Sequence, residues 1–129
     1  MNTKLIMASS AILMGLIGIL LSFLPNELAA YMQWGKSSSI VLQILGAIYF
    51  GFAIINWMSK GNLIGGIYNR PLAVGNFSHF FIAALALIKI SIKNNVSPGI
   101  ITGTIVYSVF AIAFGYILFT HPVKESKTE

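Results

Sequence analysis

The 129-residue sequence contains no cysteine and no aspartate, and charged residues of every kind make up only 9% of it. The absence of cysteine excludes disulfides, thiol chemistry and cysteine-ligated metals. The acidic residues are three glutamates outside the apolar runs, namely Glu27, Glu125 and Glu129. Because proton-coupled transport normally depends on a carboxylate inside the membrane, this inventory argues against a proton-driven antiporter.

Signatures of catalysis and cofactor binding are also missing. The two histidines, His79 and His121, are too few and too far apart in the chain to build a metal site. Ser78 and His79 are neighbours, and neighbouring side chains on a helix point about 100° apart, so they do not form a nucleophile and its base. The segment GNLIGG lacks the Lys-Ser/Thr of a phosphate-binding loop. The sequence therefore predicts neither an enzyme nor a bound cofactor.

What the sequence does contain is apolar: 57% of its residues are hydrophobic and the mean hydropathy is +0.84. Uncharged runs recur along the chain, each close to the ~20 residues with which a helix crosses ~30 Å of hydrocarbon. We predict an all-α integral membrane protein, a single-domain antiparallel four-helix bundle that uses the whole chain. Its spans are expected at about residues 5–24, 38–58, 71–91 and 100–119, with a short polar tail over 121–129.

Prolines and basic residues mark the ends of these spans. Proline is tolerated in the first turn of a helix and just beyond its end, and the positions at span boundaries are Pro25, Pro71, Pro98 and Pro122. The net charge of +5 comes from basic residues flanking the spans, which indicates a lipid bilayer and not nucleic acid as the partner. The side shared by both termini and the middle loop is richer in them, which predicts a multi-pass protein of the inner (plasma) membrane with both termini in the cytoplasm.

Stripes of small side chains appear when the spans are read at alternating steps of three and four residues. Helices in lipid associate without a hydrophobic driving force, so small residues that allow close backbone approach are typical of their interfaces. The first span carries Ala8, Ala11, Gly15, Gly18 and Ser22, and the fourth carries Thr104, Ser108, Ala111 and Gly115. This spacing fits packing within one protomer and packing between two protomers equally well.

The stripes of the second and third spans also contain polar residues. The second span carries Gly46, Tyr49, Ala53, Asn56 and Lys60, and the third carries Asn76, His79, Ala83 and Ala86. At the helical rise, Asn56 lies ~6 Å and Tyr49 ~17 Å below Lys60, while Asn76 lies ~8 Å and His79 ~12 Å below Pro71. Because the two spans are antiparallel and joined by a loop, we predict that these four side chains converge in one leaflet. The basic residues above them are Lys60 and Arg70.

Two interpretations of this convergence stay open. In the first, the polar side chains join helices through Asn–His or Tyr–His hydrogen bonds, each worth ~0.6 kcal/mol on average and up to ~1.7 kcal/mol. In the second, they line a ligand pocket between the second and third helices, under cations that attract an anionic headgroup or substrate. The residues of that hypothetical binding site are Tyr49, Asn56, Lys60, Arg70, Asn76 and His79.

Three further residues lie outside this hypothetical binding site, namely Glu27, Gln43 and Tyr107. Glu27 is either a solvated interfacial residue or part of a short amphipathic segment over residues 26–34, with Leu28, Tyr31 and Met32 facing inward. Gln43 is expected at a contact between helices. Tyr107 fits either interpretation of the polar cluster and receives no role.

The central block LGAIYFGFAIINWMSKGNLIGGIYNRPLAVGNFSHFFIAALALIK completes the sequence pattern, with a glycine-rich second span, a tryptophan near its end and an arginine opening the third. With its length and span number, the chain resembles the small four-helix bacterial membrane proteins grouped as DoxX-like. That resemblance implies a bacterial membrane protein and permits association with redox or quinone-linked complexes, although without cysteine no thiol-redox role carries over.

Two functions follow as hypotheses. The first is an accessory or interaction subunit that packs through its small-residue stripes against a membrane-protein partner or a second copy of itself. The alternative is a bundle that binds a small molecule, a lipid or a quinone, or transports a substrate, through the polar pocket.

Overall fold

The computed structural model describes residues 2–34, 38–61, 69–92 and 96–120. All regular secondary structure in these ranges is α-helical, and four of the helices are long and apolar enough to cross a membrane. Each of the four overlaps one predicted span, with ends no more than two residues away. The predicted tail over 121–129 lies outside the described residues. The helices are α1 (Thr3–Phe23), α2 (Pro25–Tyr31), α3 (Ser39–Ser59), α4 (Arg70–Ser91) and α5 (Pro98–Phe119).

Local sequence explains where these helices begin. The side chain of Asn2 caps α1 by accepting a hydrogen bond from the backbone N–H of Leu5 at 3.3 Å. Three of the other helices begin with a proline in their first turn. A backbone N–H at that position would have no acceptor within the helix, so its absence costs nothing. These residues are Pro25 in α2, Pro71 in α4 and Pro98 in α5.

Helices α1 and α3 form the first closely packed pair. A Cβ atom added to Gly46 would lie 2.8 Å from both the Gly18 carbonyl oxygen and the Ser22 backbone nitrogen, so the two backbones approach at a point where only glycine fits. A Cβ on Gly15 would lie 3.6 Å from the Cβ of Ala53. Helices α1 and α3 are therefore antiparallel. The small-residue face of the first span packs within the protomer, against α3.

Helices α4 and α5 form the second pair, and large aromatic rings fill their interface. The ring of Phe80 stacks on Phe110 and Phe114, with centroids 4.9 and 5.6 Å apart. Farther along, the hydroxyls of Ser91 and Thr104 share a hydrogen bond of 2.7 Å. Phe80 thus faces residues late in α5, whereas Ser91 faces an earlier residue, so the second pair is antiparallel as well.

The outer faces of the bundle are apolar, as a hydrocarbon environment requires. The most exposed large side chains include one from each long helix, namely Leu16, Ile48, Ile82 and Ile112. Gln43 is exposed on the outer face of α3 and does not lie in a helix contact as the sequence suggested. The backbones of the two helix pairs come close to one another at few points, so the contacts between the pairs are made mainly by side chains.

Candidate functional site

Two asparagines form the polar centre of the half of the bundle farthest from α2. Each amide nitrogen of Asn56 and Asn76 donates to the carbonyl oxygen of the other, at 2.7 and 2.8 Å. Asn56 also donates to the Ser10 hydroxyl at 3.1 Å, and Asn76 to the backbone carbonyl of Leu72 at 3.0 Å. Both asparagine side chains are 0% exposed. All four amide protons are therefore satisfied, and the pair connects α1, α3 and α4.

This arrangement differs from the predicted hydrogen bonds. Among the described residues the asparagines bond to each other and to Ser10, and neither Asn–His nor Tyr–His bonds form, so that part of the prediction is wrong. The predicted depths of Asn56 and Asn76 differ by only ~2 Å, whereas His79 lies a further turn along α4. Equal depth on facing helices allows the two amides to meet head to head.

His79 contacts its neighbours through its ring. The imidazole lies edge-on to Tyr49 with centroids 5.0 Å apart, stacks on Phe52 at 5.9 Å and meets Phe80 edge-on at 5.1 Å. Its Nε2 atom is buried and has no hydrogen-bond partner within the described part of the chain. The structure thus brings His79 and Tyr49 together, as the sequence predicted, in an aromatic cluster.

A pair of tyrosines links the two helix pairs. The hydroxyl oxygens of Tyr49 in α3 and Tyr107 in α5 are 2.7 Å apart, which is a hydrogen bond in which either group can donate. Tyr107 fits either interpretation of the polar cluster, so the sequence assigns it no role. The available signal was helical spacing: Tyr107, Ala111 and Phe114 follow at steps of four and three residues and are all buried.

The two basic residues of the predicted site lie at the helix ends. The Lys60 ammonium is 2.8 Å from the centroid of the Trp57 ring, a cation–π contact at the end of α3. Arg70 is exposed in the first turn of α4. Within the residues that the structure describes, neither forms a hydrogen bond or ion pair with the four polar side chains.

A cavity of about 420 Å³ lies between the two helix pairs, in the half of the bundle next to α2. This volume is within the range of small-molecule pockets, about 300–1,000 Å³. Among the lining residues, Tyr49 and Tyr107 carry a hydroxyl and Trp34 carries an indole N–H, whereas the other side chains are apolar. Tyr49 is the one residue of the predicted site that lines the cavity. The apolar side chains around it include Ile17, Leu21, Leu45, Ala83 and Leu87.

Helix α2 covers one end of this cavity. Leu28 of α2 and, just beyond the end of α2, Met32 and Trp34 belong to the lining, whereas Tyr31 is exposed and is not among the lining residues. A Cβ on Gly99 would lie 2.6 Å from the Met32 sulfur, so α2 sits directly against the first turn of α5.

The chain after α2 turns sharply at Gln33, which has a positive φ of 58°. The backbone N–H of Trp34 donates to the Ala29 carbonyl at 3.0 Å and that of Gln33 to the Ala30 carbonyl at 3.2 Å. This is the hydrogen-bonded turn that often ends a helix, here with glutamine at the left-handed position. The turn places Trp34 at the cavity.

No protein-family model matches this sequence, and no solved structure matches it. Olfactory receptor 5P80 of Mus musculus is 35% identical over 86 residues, which cover 63% of this chain and 27% of the receptor. The chain thus spans about a quarter of the length of that curated relative. The resemblance to the DoxX-like group stays a prediction. The four long apolar helices indicate a multi-pass helical membrane protein.

Proposed function

We propose that this protein binds an apolar small molecule or lipid in the cavity between its two helix pairs. The observation that carries the proposal is the cavity of about 420 Å³. Helices that pack only against one another bring their side chains into close contact, whereas here a partly open cleft of this volume separates the two pairs and leaves room for a ligand. An apolar pocket with a few convergent polar groups is the usual form of a small-molecule site.

Binding fits the described residues better than transport through the bundle. The cavity occupies the half next to α2, and the other half is filled by the paired amides of Asn56 and Asn76 and by the fully buried rings of Phe80 and Phe114. The ligand would therefore reach the cavity from the bilayer or from the α2 end.

A second candidate is the accessory or interaction subunit, with a membrane-protein partner or a second copy. One observation favours it: the two asparagines are fully buried, and their amide protons are taken by each other, by Ser10 and by the Leu72 carbonyl, which leaves none for a ligand. Under this candidate the cavity is incidental, and the protein acts through its outer faces.

For the location we propose the inner (plasma) membrane, with both termini and the middle loop in the cytoplasm. That side contains five basic residues and the other side three, and basic residues are enriched in cytoplasmic loops. In this orientation α2 and the cavity lie toward the outer leaflet.

Native mass spectrometry of the protein extracted directly into lipid nanodiscs tests the proposed function. Ala83→Phe fills the cavity, and Ala47→Phe adds the same ring to the exposed face of α3 as the control. We expect a discrete bound small molecule or lipid on the wild type and on Ala47→Phe, and its loss from Ala83→Phe. A wild type that carries only a protein partner would favour the accessory subunit.

A further inference from the structure

The Tyr49 and Tyr107 hydroxyls have one more proton than their mutual hydrogen bond uses. Each phenol can donate one hydrogen bond, and only one of the two protons lies between oxygens that are 2.7 Å apart. Neither hydroxyl makes another hydrogen bond to any residue that the structure describes. Whichever tyrosine donates within the pair, the other keeps an O–H without an acceptor among the described residues, and both tyrosines line the cavity.

The surroundings of this O–H define the ligand that would match it. The described lining contains no cationic side chain, so a bound carboxylate or phosphate would be a buried anion without a counter-charge. A neutral acceptor oxygen carries no such penalty and satisfies a donor that would otherwise be unmatched in apolar surroundings. Apart from the indole N–H of Trp34, the remaining lining consists of aliphatic and aromatic groups and glycines, which suit a hydrocarbon body.

We propose that the tyrosine pair recognises a neutral carbonyl oxygen, and that the cavity takes a lipophilic ketone or ester. This inference rests on the proposed function and names the ligand class of the same site. The ring of Tyr49 is held by the edge-on contact with His79, and its hydroxyl by Tyr107, so the donor is positioned before the ligand arrives. Preorganisation of this kind favours binding because the tyrosine side chains lose little conformational freedom when the ligand binds.

Trp34 provides the reporter for the test, because it lines the cavity and the sequence has only two tryptophans. Trp57→Phe leaves Trp34 as the single tryptophan, whose emission is excited at wavelengths that tyrosine does not absorb. In nanodiscs this chain is titrated with a terminally brominated methyl ketone and with a brominated alkane of equal carbon number, because bromine quenches tryptophan fluorescence. Affinities are expressed as mole fraction of probe in the bilayer. The converse chain, Trp34→Phe, retains the half-exposed Trp57, which lines a shallow outer cleft between α1 and α3, and measures quenching outside the cavity.

We expect saturable quenching of Trp34 by both probes, with the ketone about three- to tenfold tighter, as one net hydrogen bond implies. Tyr49→Phe and Tyr107→Phe should each retain the preference, because the remaining hydroxyl no longer donates within the pair and is free for the ketone. The double variant should lose it. A preference that survives in the double variant would overturn the inference.

The two probes separate failure of the inference from failure of the proposed function. Equal affinities for ketone and alkane mean that the cavity binds apolar molecules but does not recognise a carbonyl. Quenching that never saturates, or matches that of Trp57, means that the cavity binds neither. Saturable alkane binding by the double variant shows that its cavity has survived. In the mass spectrometry described above, the mass of a retained ligand distinguishes a phospholipid ester from a smaller carbonyl compound.

Discussion

At the residue scale, the amide pair shows how a polar side chain can be accommodated in hydrocarbon. An asparagine alone inside the membrane leaves donors and an acceptor unmatched, and the cost is high where no water can reach them. Asn56 and Asn76 remove that cost for each other, with Ser10 and the Leu72 carbonyl taking the remaining protons. The pair is stabilising only while both members are present.

Asn76→Leu should therefore lower the free energy of unfolding by about 1–3 kcal/mol, because it leaves Asn56 buried without its main partner. Thermal unfolding in detergent micelles, followed by circular dichroism, measures the change. Gln43→Leu is the control, since it removes an amide from the exposed face of α3 and should be neutral or stabilising. The double variant Asn56→Leu/Asn76→Leu should cost less than the sum of the single variants. Additive losses would contradict a coupled pair.

For His79 we expect the opposite effect, namely that removing its polar atoms does not lower the stability. Its ring is packed among aromatic neighbours, but its buried Nε2 atom has no partner in the described residues. His79→Phe keeps the ring contacts and removes the unmatched nitrogen, so stability in micelles should be unchanged or higher. His79→Ala removes the ring and should cost about 1–3 kcal/mol. Equal losses for both variants would show that the imidazole nitrogens matter to the fold.

The limits of sequence reasoning are clearest for these same residues. Steps of three and four placed Asn56, Asn76 and His79 on inward faces, and depth counting brought them to one region. Periodicity does not reveal which side chain on the facing helix is the partner, because that depends on the register between helices. The register of α1 and α3 is set by the crossing of Gly18 and Gly46. That crossing also determines that Ser10 reaches Asn56.

At the element scale, the glycine crossing should be the position in the α1–α3 interface that is least tolerant of change. Gly46→Ala would bring a methyl group to 2.8 Å from backbone atoms of α1, which cannot rotate away. We expect a loss of about 1–3 kcal/mol from overpacking. Gly51→Ala, on the same helix, meets nothing within 4 Å and should leave the unfolding midpoint unchanged or raised. If both variants behaved alike, the close approach of α1 and α3 would be refuted.

The helices themselves were largely readable from the sequence, and their pairing was not. Uncharged runs interrupted by prolines predicted the four long helices, because hydrocarbon thickness and proline chemistry constrain any chain in this way. The short α2 was visible only as one alternative for residues 26–34. The predicted pocket lay between the second and third spans. In the structure those spans belong to different pairs, and the cavity that separates the pairs is lined by all four long helices.

At the scale of the whole molecule, the orientation can be read by labelling, because the chain has no cysteine of its own. Asn26→Cys places a thiol on exposed α2, and Gly61→Cys places one after α3, where a Cβ meets nothing within 4 Å. A membrane-impermeant maleimide should label Asn26→Cys in intact cells and Gly61→Cys only after permeabilisation. The reverse pattern would place the termini outside.

Each closely packed pair also consists of spans that follow one another along the chain, α1 with α3 and α4 with α5. During synthesis, the crossing of Gly18 and Gly46 can form as soon as α3 has entered the membrane and before α5 has been made. The second pair then assembles from its own two spans. The asparagine link joins α3 to α4 and can form before α5 has been made, whereas the tyrosine link must wait for α5. The order in which the ribosome delivers the helices therefore constrains the order in which the bundle is built.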